Sequence, residues 1–304
     1  MNNNQIKITS KIKEAIQNNK PIVALESTLI SHGLPYPDNI SVANESIKAV
    51  EESGGIAATI GIINGIIKIG LDKDDIEILA STKNVEKVSL HNIALSLFNK
   101  KNAATTVAAT INIASKIGIN FFATGGIGGV HLDSENNSDI SADLTELSRT
   151  KMFVVSSGAK SILDLEKTYE KLETLGIPRI SYNSNFMPGF WYEETTYSVD
   201  QNFKKINDIA NYLKLINNLN HQSSILIFNK IPKGQNIEKK LIEKWIFQSV
   251  EKAKQKNIKG KDLTPFLINE INKLSKNKTL EANKTLIINN SLLAGKIAKA
   301  FSLI

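Results

Sequence analysis

The 304-residue chain has no cysteine, which excludes disulfides, thiolate nucleophiles and cysteine-ligated zinc or iron–sulfur centres. No run approaches the roughly eighteen uncharged apolar residues of a membrane span. Residues 1–20 are polar and lack the apolar segment of a signal peptide. The terminal FSLI matches no common address signal. Together these absences lead us to expect a cytoplasmic protein without a membrane partner. Arginine is almost missing too, with only Arg149 and Arg179.

Hydrophobic residues make up 41% of the chain, enough for a sizeable core, which argues against disorder. The net charge of +7 is unevenly placed. Residues 201–304 hold 19 lysines against 7 acidic residues, whereas the first 200 are net acidic. A basic half can mark a nucleic-acid surface. Here the lysines are scattered along helical patterns with few aromatics among them, as on a solvated helix face. No nucleic-acid partner is expected.

Apolar strand-like runs alternate with amphipathic helical patterns. The expected fold is α/β, a three-layer α/β/α sandwich around a mixed, largely parallel sheet, in one domain spanning 1–304. Helices are predicted over 4–19, 39–53, 104–117 and 200–217, with another in AKSILDLEKTYEKLETL and three at the C-terminus. Strands are predicted in PIVALES, IAATIGII, IIKIG, INFFAT, KMFVVS, RISYN and SSILIFN. Asn64-Gly65 predicts a two-residue hairpin between IAATIGII and IIKIG, the antiparallel part of the sheet.

Four polar clusters fall at ends of these strands, where open α/β sheets tend to place ligands. Glu26-Ser27-Thr28, followed by Ser31-His32-Gly33, offers a carboxylate for acid–base work or for helix capping. TGGIGGVH at 124–131 brings backbone N–H groups close to an anion or ring, or simply forms a tight turn. It lacks both the dinucleotide-binding and the P-loop spacing. Asp139-Ile140-Ser141-Ala142-Asp143 places two carboxylates on one helix face. Without Cys or a His cluster, such oxygens favour Mg²⁺ or Mn²⁺ over Zn²⁺, and capping is the plainer role. In Ser156-Ser157-Gly158-Ala159-Lys160, a lysine is predicted at a helix start, partly desolvated. Both features disfavour the ammonium and free the amine as a nucleophile. Of the histidines, only His131 lies in such a loop, while His91 and His221 read as structural or exposed.

ALESTLISHGLPYPDN, KVS, TTVAATINIAS, FFATGGIGGVH, DISADLTEL, SSGAKSILDLEKTYEKLETLGIP and the segment from Gly260 to Ala298 occur in an order that resembles the pseudouridine-5′-phosphate glycosidase family, indigoidine synthase A-like, over nearly the whole chain. The resemblance implies a homotrimeric lyase that reversibly splits pseudouridine 5′-phosphate into uracil and ribose 5-phosphate, with one divalent ion, typically Mn²⁺. By motif position Lys160 matches the covalent nucleophile, Glu26 the proton donor and Asp139 the metal ligand. Ser141, Ala142, Asp143, Lys87 and Val107 match substrate contacts, and Thr124, His131 and Asn283 further sugar or base contacts. Uracil leaves through carbon, so the implied chemistry uses a Schiff base on Lys160 as electron sink and protonation of C5 by Glu26. The chain departs from the family pattern at Ala57, at Leu90-His91-Asn92, at Leu132 and at Lys284. Two other readings stand beside this one: a Schiff-base lyase for a different sugar phosphate, and a non-catalytic RNA- or ligand-binding protein using the basic C-terminal part.

Overall fold

The computed structural model describes residues 5–132, 139–258 and 263–304. The polar stretch between Leu132 and Asp139 and the start of the last family segment, at 259–262, lie outside the described residues.

An eleven-stranded sheet forms the centre. Its strands are β1 (Ile6–Ile8), β2 (Ile22–Leu25), β3 (Ile56–Ile63), β4 (Ile66–Ile69), β5 (Glu86–Val88), β6 (Ala103–Thr105), β7 (Phe121–Ala123), β9 (Phe153–Ser156), β11 (Arg179–Tyr182), β12 (Gln201–Phe203) and β13 (Ile225–Phe228). A separate two-stranded ribbon pairs β8 (Val130–His131) with β10 (Leu163–Asp164). The main order is β1-β4-β3-β2-β7-β9-β13-β11-β12, with β6 beside β3 and β5 beside β6. Only β4 and β6 run antiparallel to their neighbour β3; the other pairings in this sheet are parallel.

Helices cover both faces, which explains why the central strands read as unbroken apolar runs rather than alternating ones. Val23, Leu25, Phe121, Ala123, Phe153, Val155, Ile225 and Ile227 pack with Val50, Leu293 and Ile297 on one side. Their strand neighbours Ala24, Phe122, Val154 and Leu226 pack with Ile111, Leu144 and Leu172 on the other. This two-sided burial is the expected α/β/α sandwich. Asn64 and Gly65 both take positive φ, 49° and 74°, so the hairpin of β3 and β4 turns as predicted.

Three predicted helices give up their first residues to strands of the main sheet. Residues 4–19 were predicted as one helix, but Ile6–Ile8 joins the sheet beside β4 before helix Ser10–Gln17 begins. Ala103–Thr105 and Gln201–Phe203 are likewise strands ahead of helices Val107–Ser115 and Ile206–Asn218. In each case a neighbouring strand edge offered backbone partners that local periodicity does not reveal. Among the described residues, no helix is long and apolar enough to cross a membrane.

Candidate functional site

Register aligns the ends of three adjacent strands. Leu25 lies opposite Ala123, and Ala123 opposite Val155, so Glu26, Thr124 and Ser156 leave the sheet side by side. Both oxygens of the half-buried Glu26 carboxylate are engaged. Thr28 Oγ1 donates to Oε2, and Thr124 Oγ1 donates to Oε1 from 98 positions away. Ser27 turns inward, where its Oγ accepts from the Thr105 backbone at 2.9 Å.

The two loops that follow β7 and β9 are laced together. Ser157 N donates to Gly125 O at 3.0 Å, Ile127 N to Gly158 O at 3.0 Å, and Lys160 N to Ile127 O at 3.1 Å. Gly158 makes this turn with φ at 84°, and a Cβ there would lie 2.6 Å from Pro188 O. Asn290, fully buried on the last helix (Lys278–Ser302), closes the arrangement. Its Nδ2 donates to Thr124 O at 2.8 Å and to Ser157 Oγ at 3.1 Å.

Lys160 is not at a helix start, contrary to expectation. The helix begins at Leu165, capped by Asp164, whose carboxylate accepts from Lys167 N at 3.0 Å. Leu163 and Asp164 first pair with His131 and Val130, so side-chain and ribbon contacts overrode the helical pattern of AKSIL. Lys160 therefore precedes the first turn of that helix by several residues. Lys87 lies on β5. Desolvation holds its pKa below the ordinary lysine range, and the charge of Lys160 pushes the same way, while Asp143 and then Glu26 oppose. Lys87 is exposed as a residue, yet its ammonium responds to all three of those groups. Burial likewise lowers His131, with Lys87 and Lys160 adding to the effect and Asp139 opposing it. Burial, and then Lys87, lower His32 as well.

Asp139 and Asp143 do not share a helix face. The helix spans Ala142–Arg149 and Ser141 caps it, accepting from Asp143 N at 3.2 Å, so Asp139 precedes the helix. The Asp143 carboxylate points inward. It accepts from Ala108 N at 2.9 Å and from Gly128 N at 2.8 Å, pinning the glycine loop to the start of helix Val107–Ser115. Val107, the first residue of that helix, is itself buried. Asp139 O accepts from His131 N at 3.0 Å.

Among the described residues, no three His, Cys, Asp or Glu side chains converge to hold a metal. The side-chain donors of this segment are carboxylate oxygens, those of Asp143 already accepting one backbone N–H each. Oxygen donors suit a hard ion such as Mg²⁺ or Mn²⁺ and do not suit a protein-caged zinc.

Asn283 lies at one remove. Its Oδ1 accepts from Trp191 Nε1 at 2.7 Å, Trp191 packs on Phe190, and the Phe190 ring covers Gly126. Lys284 beside it pairs with Glu281 at 2.8 Å and Asp38 at 3.0 Å, which accounts for a charged residue at this position. Thr28 and His32 belong to the first polar cluster of the sequence analysis without a role of their own there, and Asn290 is not among the sequence candidates, although it lies within a quoted family segment. Hydroxyls and amides carry no pattern of their own, and their roles emerge only from partners distant in the chain.

A mostly parallel sheet with a carboxylate, two lysines and a glycine loop at its carboxyl end defines an α/β enzyme of the kind that handles small anionic molecules. Within that class, the chain belongs to the indigoidine synthase A like protein family, whose pattern matches residues 11–300. Relatives named pseudouridine-5′-phosphate glycosidase include one from Petrotoga mobilis, 44% identical and covering 98% of each chain. Another, from Brachyspira hyodysenteriae, is 45% identical and covers 97% of this chain and 96% of its own. Among solved structures, the prealnumycin C-glycosynthase AlnA in complex with ribulose 5-phosphate superposes with a TM-score of 0.90 at 34% identity, covering 98% of this chain and 97% of its own. An indigoidine synthase A-like protein from Thermotoga maritima gives 0.88 at 32% identity, covering 98% and 96%.

Proposed function

We propose that this chain is a lyase that reversibly breaks the carbon–carbon glycosidic bond of pseudouridine 5′-phosphate, giving uracil and ribose 5-phosphate. The observation that carries the proposal is that Glu26 leaves the sheet beside Thr124, whose loop is hydrogen-bonded to the loop of Lys160, so the acid and the lysine belong to the same end of the sheet. Relatives with that activity in their name cover almost the whole chain.

In this reading the Lys160 amine attacks C1′ while the C1′–O4′ bond breaks and O4′ takes up a proton. Protonated Glu26 then gives its proton to C5 of the base. The nitrogen lone pair of Lys160 expels the base, and the electrons of the C1′–C5 bond restore the C5–C6 double bond of uracil. An iminium is left on C1′, and water hydrolyses it to free Lys160 and ribose 5-phosphate. Thr28 and Thr124 hold Glu26 in place, and Lys87 supplies positive charge for the phosphate. Ser141, Ala142, Asp143, Val107 and His131 line the sugar and base positions, and Asn283 supports them through Trp191. Asp139 would hold Mn²⁺, Mg²⁺ or another hard divalent ion, which when bound supplies fixed positive charge for ordering substrate oxygens. A homotrimer, one domain and a cytoplasmic location complete the proposal.

Purified protein with Mn²⁺ is expected to release free uracil from pseudouridine 5′-phosphate, and borohydride is expected to trap sugar on Lys160. Full activity in Lys160→Ala would overturn the covalent route. A second reading, a Schiff-base lyase for a different sugar phosphate, is favoured by the ribulose 5-phosphate bound to the C-glycosynthase neighbour. Absence of uracil release alongside borohydride trapping of another sugar phosphate would select it.

A further inference from the structure

Phe190 takes a positive φ of 68°. Among the described residues, the other non-glycine positions with positive φ are asparagines and two lysines, so Phe190 is the one apolar side chain held there. A bulky residue is sterically disfavoured in that region, and such a conformation persists only where its surroundings over-determine it.

Those surroundings are hydrogen bonds on either flank. Ahead of Phe190, Tyr169 Oη donates to Pro188 O at 3.0 Å and Ser161 Oγ donates to Gly189 O at 2.7 Å. Behind it, Trp191 N donates to the same Ser161 Oγ at 3.4 Å, and Trp191 O accepts from Ile237 N at 2.8 Å. One buried hydroxyl thus grips the main chain on both sides of the strained residue. With its flanks fixed, Phe190 turns a buried ring against Gly126, where a Cβ would lie 2.6 Å from ring carbon Cε2. Gly126 sits between Gly125, whose carbonyl accepts from Ser157 N, and Ile127, whose N–H donates to Gly158 O. The ring therefore backs the glycine loop where that loop is tied to the loop of Lys160. Ser161 directly follows Lys160, so the side chain that holds the strained turn belongs to the segment of the lysine itself.

We propose that Ser161 and Phe190 are positioning residues for Lys160. Ser161 clasps the turn at Gly189, the turn wedges the Phe190 ring against Gly126, and the glycine loop holds Lys160 through the bond from its N–H to Ile127 O. The strain at Phe190 is the consequence of fixing the Lys160 main chain from two sides, which limits where its amine can point during attack on C1′. This rests on the reading of Lys160 as the attacking amine.

The test uses Ser161→Ala, which removes the clasp and little volume, and Phe190→Ala, which removes the ring. With pseudouridine 5′-phosphate, Ser161→Ala should lower kcat about fivefold, the worth of one neutral hydrogen bond, with KM unchanged. Cyanoborohydride capture of ribose 5-phosphate on Lys160, followed by peptide mass spectrometry, should slow by a similar factor. Phe190→Ala should lower both rates at least as much. The double variant should be no slower than Phe190→Ala alone, because both changes break one chain of contacts. Should Phe190→Ala fail to fold, Phe190→Leu takes its place, keeping apolar bulk without the flat ring. Variants that melt earlier but keep the wild-type kcat and capture rate well below the melting transition would assign the clasp to stability alone and overturn the proposal. A double variant whose loss is the product of the two single losses would overturn it as well. A wild type that captures ribose 5-phosphate yet releases no uracil would instead overturn the assigned reaction, and the capture rates would still decide on the clasp.

Discussion

Asn290 donates from Nδ2 to the main-chain oxygen of Thr124 at 2.8 Å, while the hydroxyl of Thr124 donates to Glu26. One buried amide on the final helix thus holds the strand end that holds the acid. Asn290 Oδ1 also accepts from Asn229 Nδ2 at 3.1 Å, which joins a third loop to the arrangement.

Asn290→Ala should therefore do more than open a small hole. It leaves the Thr124 carbonyl and the Ser157 hydroxyl with fewer partners in a buried place, a loss of about 2–3 kcal/mol in folding free energy. Urea unfolding checks this figure. Because Thr124 loses its anchor, turnover should also fall in protein that remains folded, with kcat more affected than KM. A stable variant with unaltered kcat would show that the amide serves packing only.

The glycine loop allows a test by contrast. A Cβ on Gly128 would overlap Ser141 Oγ and come within 2.7 Å of Asp143 Oδ2, where the carboxylate now accepts from Gly128 N. A Cβ on Gly125 would meet nothing nearer than Phe190 at 3.9 Å. Gly128→Ala should displace the Asp143 clasp and cost on the order of a hundredfold in kcat/KM, the scale of an ångström-sized misplacement. Gly125→Ala should remain near the wild type. Equal activity in the two variants would mean that the clasp does not position the site.

Lys87 should betray its surroundings through its pH behaviour. Folding depresses its pKa below the ordinary lysine value, first through desolvation and then through Lys160. While protonated it burdens the folded state, and that burden fades as pH rises from the depressed value towards 10.5. At mildly alkaline pH its free amine should accordingly react with acetic anhydride faster than exposed lysines such as Lys48. Peptide mass spectrometry can rank them. Lys160→Met removes a repelling charge and should slow Lys87 acetylation. Unchanged labelling in that variant would separate the two lysines.

Much of this architecture could be read from residue order. Buried apolar runs between amphipathic patterns dictated a helix-covered parallel sheet, because a strand covered on both faces has no polar side to show. Asn64-Gly65 dictated a hairpin, because both positions need positive φ. The ordered motifs around Glu26, Asp139 and Lys160 were sufficient to indicate the family. The short strands Ile6–Ile8, Ala103–Thr105 and Gln201–Phe203 were not legible, since three residues carry no period and their partners lie elsewhere in the chain.

Lys160 shows where sequence stops. Its pattern implied a helix start and therefore a helix dipole, but pairing of Leu163 and Asp164 with the loop at His131 delayed the helix to Leu165. The placing of Lys160 was decided instead by the loops after β7 and β9, where Lys160 N donates to Ile127 O at the end of the sheet that also carries Glu26. The sequence by itself determined which chemical groups are present and that the central strands are covered on both faces. Only the tertiary structure decided that Asn290 holds the Thr124 carbonyl and that Asp143 clasps the glycine loop to the helix at Val107, because such bonds depend on distance in space and leave no periodic trace along the chain.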